Sequence, residues 1–242
     1  MRRFFAAARV LMGLALVAAV AGRLQAYLRF WTDRGDRAIA VDVVNFFSYF
    51  TIQTSLFHAV VFGIGAWFLL ARRGADPGWL GALRAAATTY TVTTGVVYNA
   101  LLRGLPQELG LEQPWANEVL HTIVPVCALL DWLLAPGRSR VRWRAVGGIV
   151  VYPVLWAACT LVRAPFVLDE GTGNPWWYPY PFLDPHESAG GYGSVAAWVA
   201  VLAVAITATA AVLVGISRRG PGSPVDDSSD DNQDDDGGER SR

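Results

Sequence analysis

Six stretches of this 242-residue chain are so apolar, and so long, that they leave few ways to fold. They run roughly over 4–22, 43–71, 80–102, 119–135, 146–162 and 195–216. A helix that crosses a bilayer needs about 20 mostly apolar residues. In lipid the backbone has no water to bond, so each segment must satisfy its own N–H and C=O groups as a helix. The expected fold is therefore all-α: a polytopic six-transmembrane-helix bundle over 1–219. No internal repeat is evident, which argues against a transporter built from inverted repeats.

Composition agrees. The chain is 53% hydrophobic and 17% charged, against about 25% charged in a soluble domain. The formal net charge of zero conceals a split. Residues 224–242 hold eight acids and two arginines, so the rest of the chain carries +6. That acidic tail (220–242) lacks aromatics and is expected to be disordered. Two cysteines, Cys127 and Cys159, both in apolar runs, exclude a disulfide framework or a zinc cluster. Three histidines argue against a large metal site, and no cofactor is expected. The arginines are scattered rather than gathered in a stripe, so nucleic acid is not an expected partner.

Met1-Arg2-Arg3 before an apolar run also fits a cleavable signal peptide. With no convincing small-x-small cleavage site ahead of a soluble domain and five more spans behind it, the segment is read as a retained helix, with Arg9 snorkelling to the interface. With the N-terminus inside, eleven body arginines fall on the inner side and six on the outer. Both termini are then cytoplasmic and the protein sits in the cell membrane. The longest outer loop contains NPWWYPYPFLDP (Asn174–Pro185), whose four prolines forbid a helix. Its five aromatics suit either a headgroup-level belt or a rigid cap over an outward-opening cavity.

Polar residues inside the spans carry the functional question. Asn45, Ser48, Thr51, Ser55 and His58 are spaced to share one face of the second span. Thr51 is expected roughly 10–15 Å below the outer end of that span, and His121 roughly 5 Å below the end of the fourth. Helix tilt would let them meet. A threonine hydroxyl becomes a nucleophile when a base takes its proton, and imidazole is the usual base. Glu118 or Asp184 would be available to orient the ring. On spacing alone, a hydroxyl bonded to its own helix and a merely satisfied histidine explain the pair as well. Tyr98 and Asn99 are read either as helix–helix contacts or as a pocket wall. Arg163 is a candidate for holding a carboxylate or headgroup at the mouth, and Tyr180 belongs to the aromatic cap. Asp131 is read as an interhelical or interfacial anchor.

Three stretches together resemble a known family: FFSYFTIQTS (Phe46–Ser55), NEVLHTIVPVCALLDWLL (Asn117–Leu134) and YPYPFLDP (Tyr178–Pro185). The set is similar to bacterial Pr6Pr membrane proteins. Those belong with the animal androgen-induced and androgen-dependent TFPI-regulating proteins in the FAR-17a-like superfamily. The resemblance covers roughly residues 5–216. It implies an intramembrane threonine hydrolase of fatty-acyl esters, with Thr51 in the nucleophile position and His121 as its histidine. One departure is Ser55, where the bacterial pattern usually has Asn. A membrane lipid or fatty-acyl ester is the implied partner, bound by Ser55, Tyr98, Asn99, Arg163 and Tyr180. The competing expectation is a non-enzymatic lipid-binding or scaffolding membrane protein.

Overall fold

The computed structural model describes residues 1–104, 111, 113–169, 171–187 and 189–219. The expected acidic tail, 220–242, lies outside the described residues. All regular structure among the described residues is helical. The main helices are α1 (Arg2–Arg34), α2 (Ile39–Ser48), α3 (Phe50–Ala71), α4 (Gly78–Val97), α5 (Pro114–Glu118), α6 (Val124–Leu134), α7 (Arg144–Arg163) and α8 (Gly191–Arg218). A π-helical turn, Tyr98–Leu102, extends α4, and another, Val119–Ile123, joins α5 to α6.

Five helical stretches are long and apolar enough to cross a membrane: Arg2–Arg34, Phe50–Ala71, Pro114–Leu134, Arg144–Phe166 and Gly191–Arg218. Large apolar side chains on these helices face outward. Leu11, Leu14, Leu70, Val162 and Val204 are each more than 60% exposed. The bundle thus presents an apolar outside, a surface suited to lipid rather than to water. The stretch expected as a third span, 80–102, does not meet the same measure. It corresponds to α4 and its π turn, and α4 touches α3, α6, α7 and α8. As the central helix it buries Arg84, Thr88, Thr89, Thr91 and Thr93. A helix surrounded by protein can carry polar groups because its neighbours bond them.

Two expected boundaries move. First, α1 is 33 residues long, about 50 Å at 1.5 Å per residue, and ends at Gly35 in the left-handed conformation (φ 77°). Arg23 and Arg29, expected in a loop, lie on it. Second, the stretch 43–71 is not one helix. It breaks at Tyr49, which is extended (φ −62°, ψ 131°). The polar stripe from Asn45 to His58 is therefore split between α2 and α3. Side chains close the gap in the backbone bonding. Gln53 Nε2 donates to the Phe47 carbonyl (2.8 Å) and Trp156 Nε1 to the Ser48 carbonyl (2.9 Å). Buried backbone groups need such partners wherever a helix is interrupted.

Two prolines obey the same rule. Pro125 and Pro153 have no N–H to give the carbonyls four residues earlier, His121 and Ile149. Both carbonyls are taken by side chains from the central α4 and its extension. Asn99 Nδ2 donates to His121 O (2.9 Å), and Tyr90 OH to Ile149 O (2.7 Å).

At the end of the bundle remote from the 164–190 loop, charges are buried together. Arg9 Nε pairs with Asp131 Oδ1 (2.9 Å). Arg84 joins Asp131 (3.0 Å) to Asp76 (2.5 Å) and lies over the Trp132 ring. Arg9 is only 1% exposed, so it does not snorkel outward. It turns inward because Asp131 and the Gly65 carbonyl meet it there. Asp131 is indeed an interhelical anchor, linking α1, α4 and α6.

Candidate functional site

The break at Tyr49 places Thr51 in the first turn of α3 rather than partway along a longer span. Its backbone N–H is one of the four that a helix start leaves unbonded. The Tyr180 hydroxyl accepts it (3.3 Å) and also lies 3.2 Å from Thr51 Oγ1. Burial pushes the Tyr180 phenol above its ordinary pKa, against its bonds to Thr51 and the nearby Arg23 charge. Tyr180 therefore stays a neutral OH that caps α3 and holds the Thr51 side chain.

His121 sits in the π turn of the helix Pro114–Leu134. π turns often mark functional positions, because they re-aim a side chain. Its Nδ1 lies 3.1 Å from the Asn117 carbonyl. A carbonyl only accepts, so Nδ1 carries the proton and Nε2 keeps the lone pair. No hydrogen bond to Nε2 occurs among the described residues. The ring stacks on Tyr98, with centroids 3.9 Å apart. Close approach of α4 to this turn depends on Gly95, where an added Cβ would stand 3.0 Å from His121 O and 2.8 Å from Pro125 Cβ.

Thr51, His121, Tyr98 and Tyr180 all line one cavity of about 420 Å³. Its apolar wall comes from α7 and α8, including Val150, Val154, Leu202 and Ile206. The aromatic loop closes over it, with Trp176, Trp177 and Tyr178 among the lining residues. Of the two readings of that loop, the cap over a cavity is the one its position matches. Aromatic contacts seat it: Tyr49 meets Trp177 and Tyr180 edge-on, and Trp156 meets Tyr180.

The remaining expected site residues lie elsewhere. Ser55 is buried one turn along α3 and does not line the cavity. Asn99 stands behind the wall. It donates to Gly95 O and His121 O and accepts from Arg103 Nε (2.7 Å), so it holds the backbone of the histidine turn. Arg163 faces a separate pocket of about 110 Å³, bonded to Asn45 Oδ1 (2.6 Å) and lying over Trp177. Neither carboxylate considered for orienting His121 does so. Glu118 pairs with Arg103 (2.7 Å) and Asp184 with His186 (2.8 Å). The Asn117 carbonyl takes that role. His58 is buried against Thr91 (2.7 Å) and Phe62, away from Thr51's cavity.

Sequence reasoning missed Arg23. It lines the cavity from α1, bonds Asn117 Oδ1 and lies 5.9 Å from the Tyr27 ring. Its only sequence signal was an arginine just past an apolar run, which reads as a loop residue. Among the described residues, no group of three or more His, Cys, Asp or Glu side chains is placed to hold a metal ion. Comparison with known proteins returned no matching family model, no curated relative and no solved structure.

Proposed function

We propose that this chain is a six-span integral membrane hydrolase of fatty-acyl esters, related to the Pr6Pr branch of the FAR-17a-like superfamily. In this reading α4 is the central, third span that completes the six, and both termini lie on the arginine-rich cytoplasmic side. The observation that carries it is that Thr51 and His121 line one cavity, with the imidazole in the tautomer that leaves Nε2 free to take a proton. An acyl chain lies along the α7–α8 wall and brings its ester to Thr51.

The reaction has two halves. Thr51 Oγ attacks the ester carbonyl while His121 Nε2 takes the hydroxyl proton. The positive end of α3 stabilises the developing oxyanion. Collapse expels the alkoxide, which leaves as the alcohol with the proton from His121. Water, deprotonated by His121, then attacks the acyl-threonine. The fatty acid leaves, and the proton returns to Thr51 Oγ. Tyr180 holds Thr51 Oγ1 beforehand, so the hydroxyl turns from Tyr180 to His121 as the ester binds.

That resting contact also favours a second reading, a non-enzymatic lipid binder, because Thr51 Oγ1 is bonded to Tyr180 and not to His121. A fluorophosphonate probe separates the two. Wild-type protein in detergent is expected to label, with labelling lost in folded Thr51→Ala and His121→Ala variants. A wild type that fails to label and hydrolyses no acyl ester favours the binder. Labelling that survives Thr51→Ala removes Thr51 as the nucleophile.

A further inference from the structure

The cavity is lined by charges of both signs. Beside Thr51 and His121 it has one guanidinium, Arg23, whose partners are the Asn117 amide oxygen and the Tyr27 ring. Among the described residues Arg23 forms no ion pair. In the cap, three carboxylates line the same cavity: Asp169, Asp184 and Glu187. Asp169 is bonded by a backbone N–H and a threonine hydroxyl, and Asp184 by His186. Among the described residues, none of the three pairs with an arginine. Arg34 lies near Asp169 and Arg163 over the Trp177 ring, which leaves Asp184 and Glu187 as the cap carboxylates that no arginine meets among the described residues, with Trp176 and Tyr178 lining the same cavity. Aromatic faces next to carboxylates favour a weakly hydrated cation, above all a quaternary ammonium. A guanidinium favours phosphate or carboxylate.

The lining thus combines an apolar wall, the Thr51 and His121 side chains, a cation, and anions with aromatics. We infer that the cavity takes a single-chain ester amphiphile with a zwitterionic head: acyl chain on α7–α8, ester at Thr51, phosphate at Arg23, and quaternary ammonium in the cap. This is the chemistry of a lysophosphocholine. The inference deepens the hydrolase reading and rests on the same cavity, but it concerns recognition and is testable without turnover.

The test uses full-length protein in maltoside micelles and three uncleavable ether amphiphiles of one chain length, with phosphocholine, phosphate or uncharged glycerol heads. Binding is read by calorimetry. Phosphocholine is expected to bind about tenfold tighter than either other head. Asp184→Asn with Glu187→Gln should erase its advantage over phosphate, and Arg23→Gln should weaken both phosphorylated heads but not glycerol. Equal affinity for all three heads in wild type, or phosphate tighter than phosphocholine, overturns the inference. The wild-type series needs no variant to fold. Head preference without probe labelling keeps the headgroup site and removes the hydrolase. Labelling without head preference does the reverse.

Discussion

Both ends of the bundle bury polar groups, yet to different effect. At the far end, Arg9, Asp131, Arg84 and Asp76 are paired with one another, with two positive charges against two negative. At the cap end, Thr51, His121 and Arg23 face a cavity, and each has a neutral partner that positions it without neutralising or consuming it. Buried ionised groups are costly unless paired, so the far cluster pairs its charges internally and tells us about register and assembly. Groups that are positioned but left with bonding capacity have something to offer a ligand. Burial and polarity are shared by the two ends; only the pattern of partners distinguishes scaffold from candidate site.

The comparison can be broken most sharply at Thr51 and His121. Alanine at either is expected to cut acyl-ester turnover by about 10²–10⁴-fold, with the helical circular dichroism and unfolding midpoint kept. A far-end substitution should do the opposite. Asp131→Leu strands Arg9, leaves Arg84 with Asp76 alone, and should cost about 3–5 kcal/mol of stability, while the protein that remains folded turns over normally. Combining it with Arg9→Met should restore part of the loss, measured as a coupling in a double-mutant cycle. If Asp131→Leu instead removed activity from fully folded protein, the two ends would not be separate.

Smaller effects sharpen the cap end. Asn99→Leu frees the His121 carbonyl and should cost about 1–3 kcal/mol in a thermal melt. Because Asn99 acts through the histidine turn, kcat should fall more than KM changes, and Asn99→Gln should recover less than wild type. Tyr180→Phe removes the hydroxyl that caps α3. An expected loss of about 0.5–1.5 kcal/mol, with kcat changed less than tenfold, would confine Tyr180 to positioning. A loss as large as that of Thr51→Ala would make it part of the reacting group.

The helical class and most of the long apolar stretches were legible because hydrophobic run length is a local property. Thr51 and His121 were legible as a pair only through spacing and resemblance. Their shared cavity depends on where α3 begins, and the extended Tyr49 that sets this carries no proline or glycine signal. Its cause is tertiary: Gln53, Trp156 and Tyr180 take up the bonds that the break releases. Arg163 and Arg23 exchange roles for a similar reason. Read along the chain, Arg163 closes a helix and Arg23 follows an apolar run; in space, Arg163 is spent on Asn45 and Trp177, while the longer α1 carries Arg23 to the cavity.

By itself, the sequence determined an all-helical fold built on long apolar stretches, since apolar length and proline position act locally; of the six stretches it marked, five form helices long and apolar enough to cross a membrane. It also determined that the carbonyls before Pro125 and Pro153 would need outside donors. The tertiary structure decided which donors arrive, Asn99 and Tyr90 from the central helix. It also decided that α4 could be polar and that the histidine's tautomer is set by its own helix. Those outcomes depend on which side chains meet across helices, and each lone polar group takes whatever partner packing brings within hydrogen-bond reach.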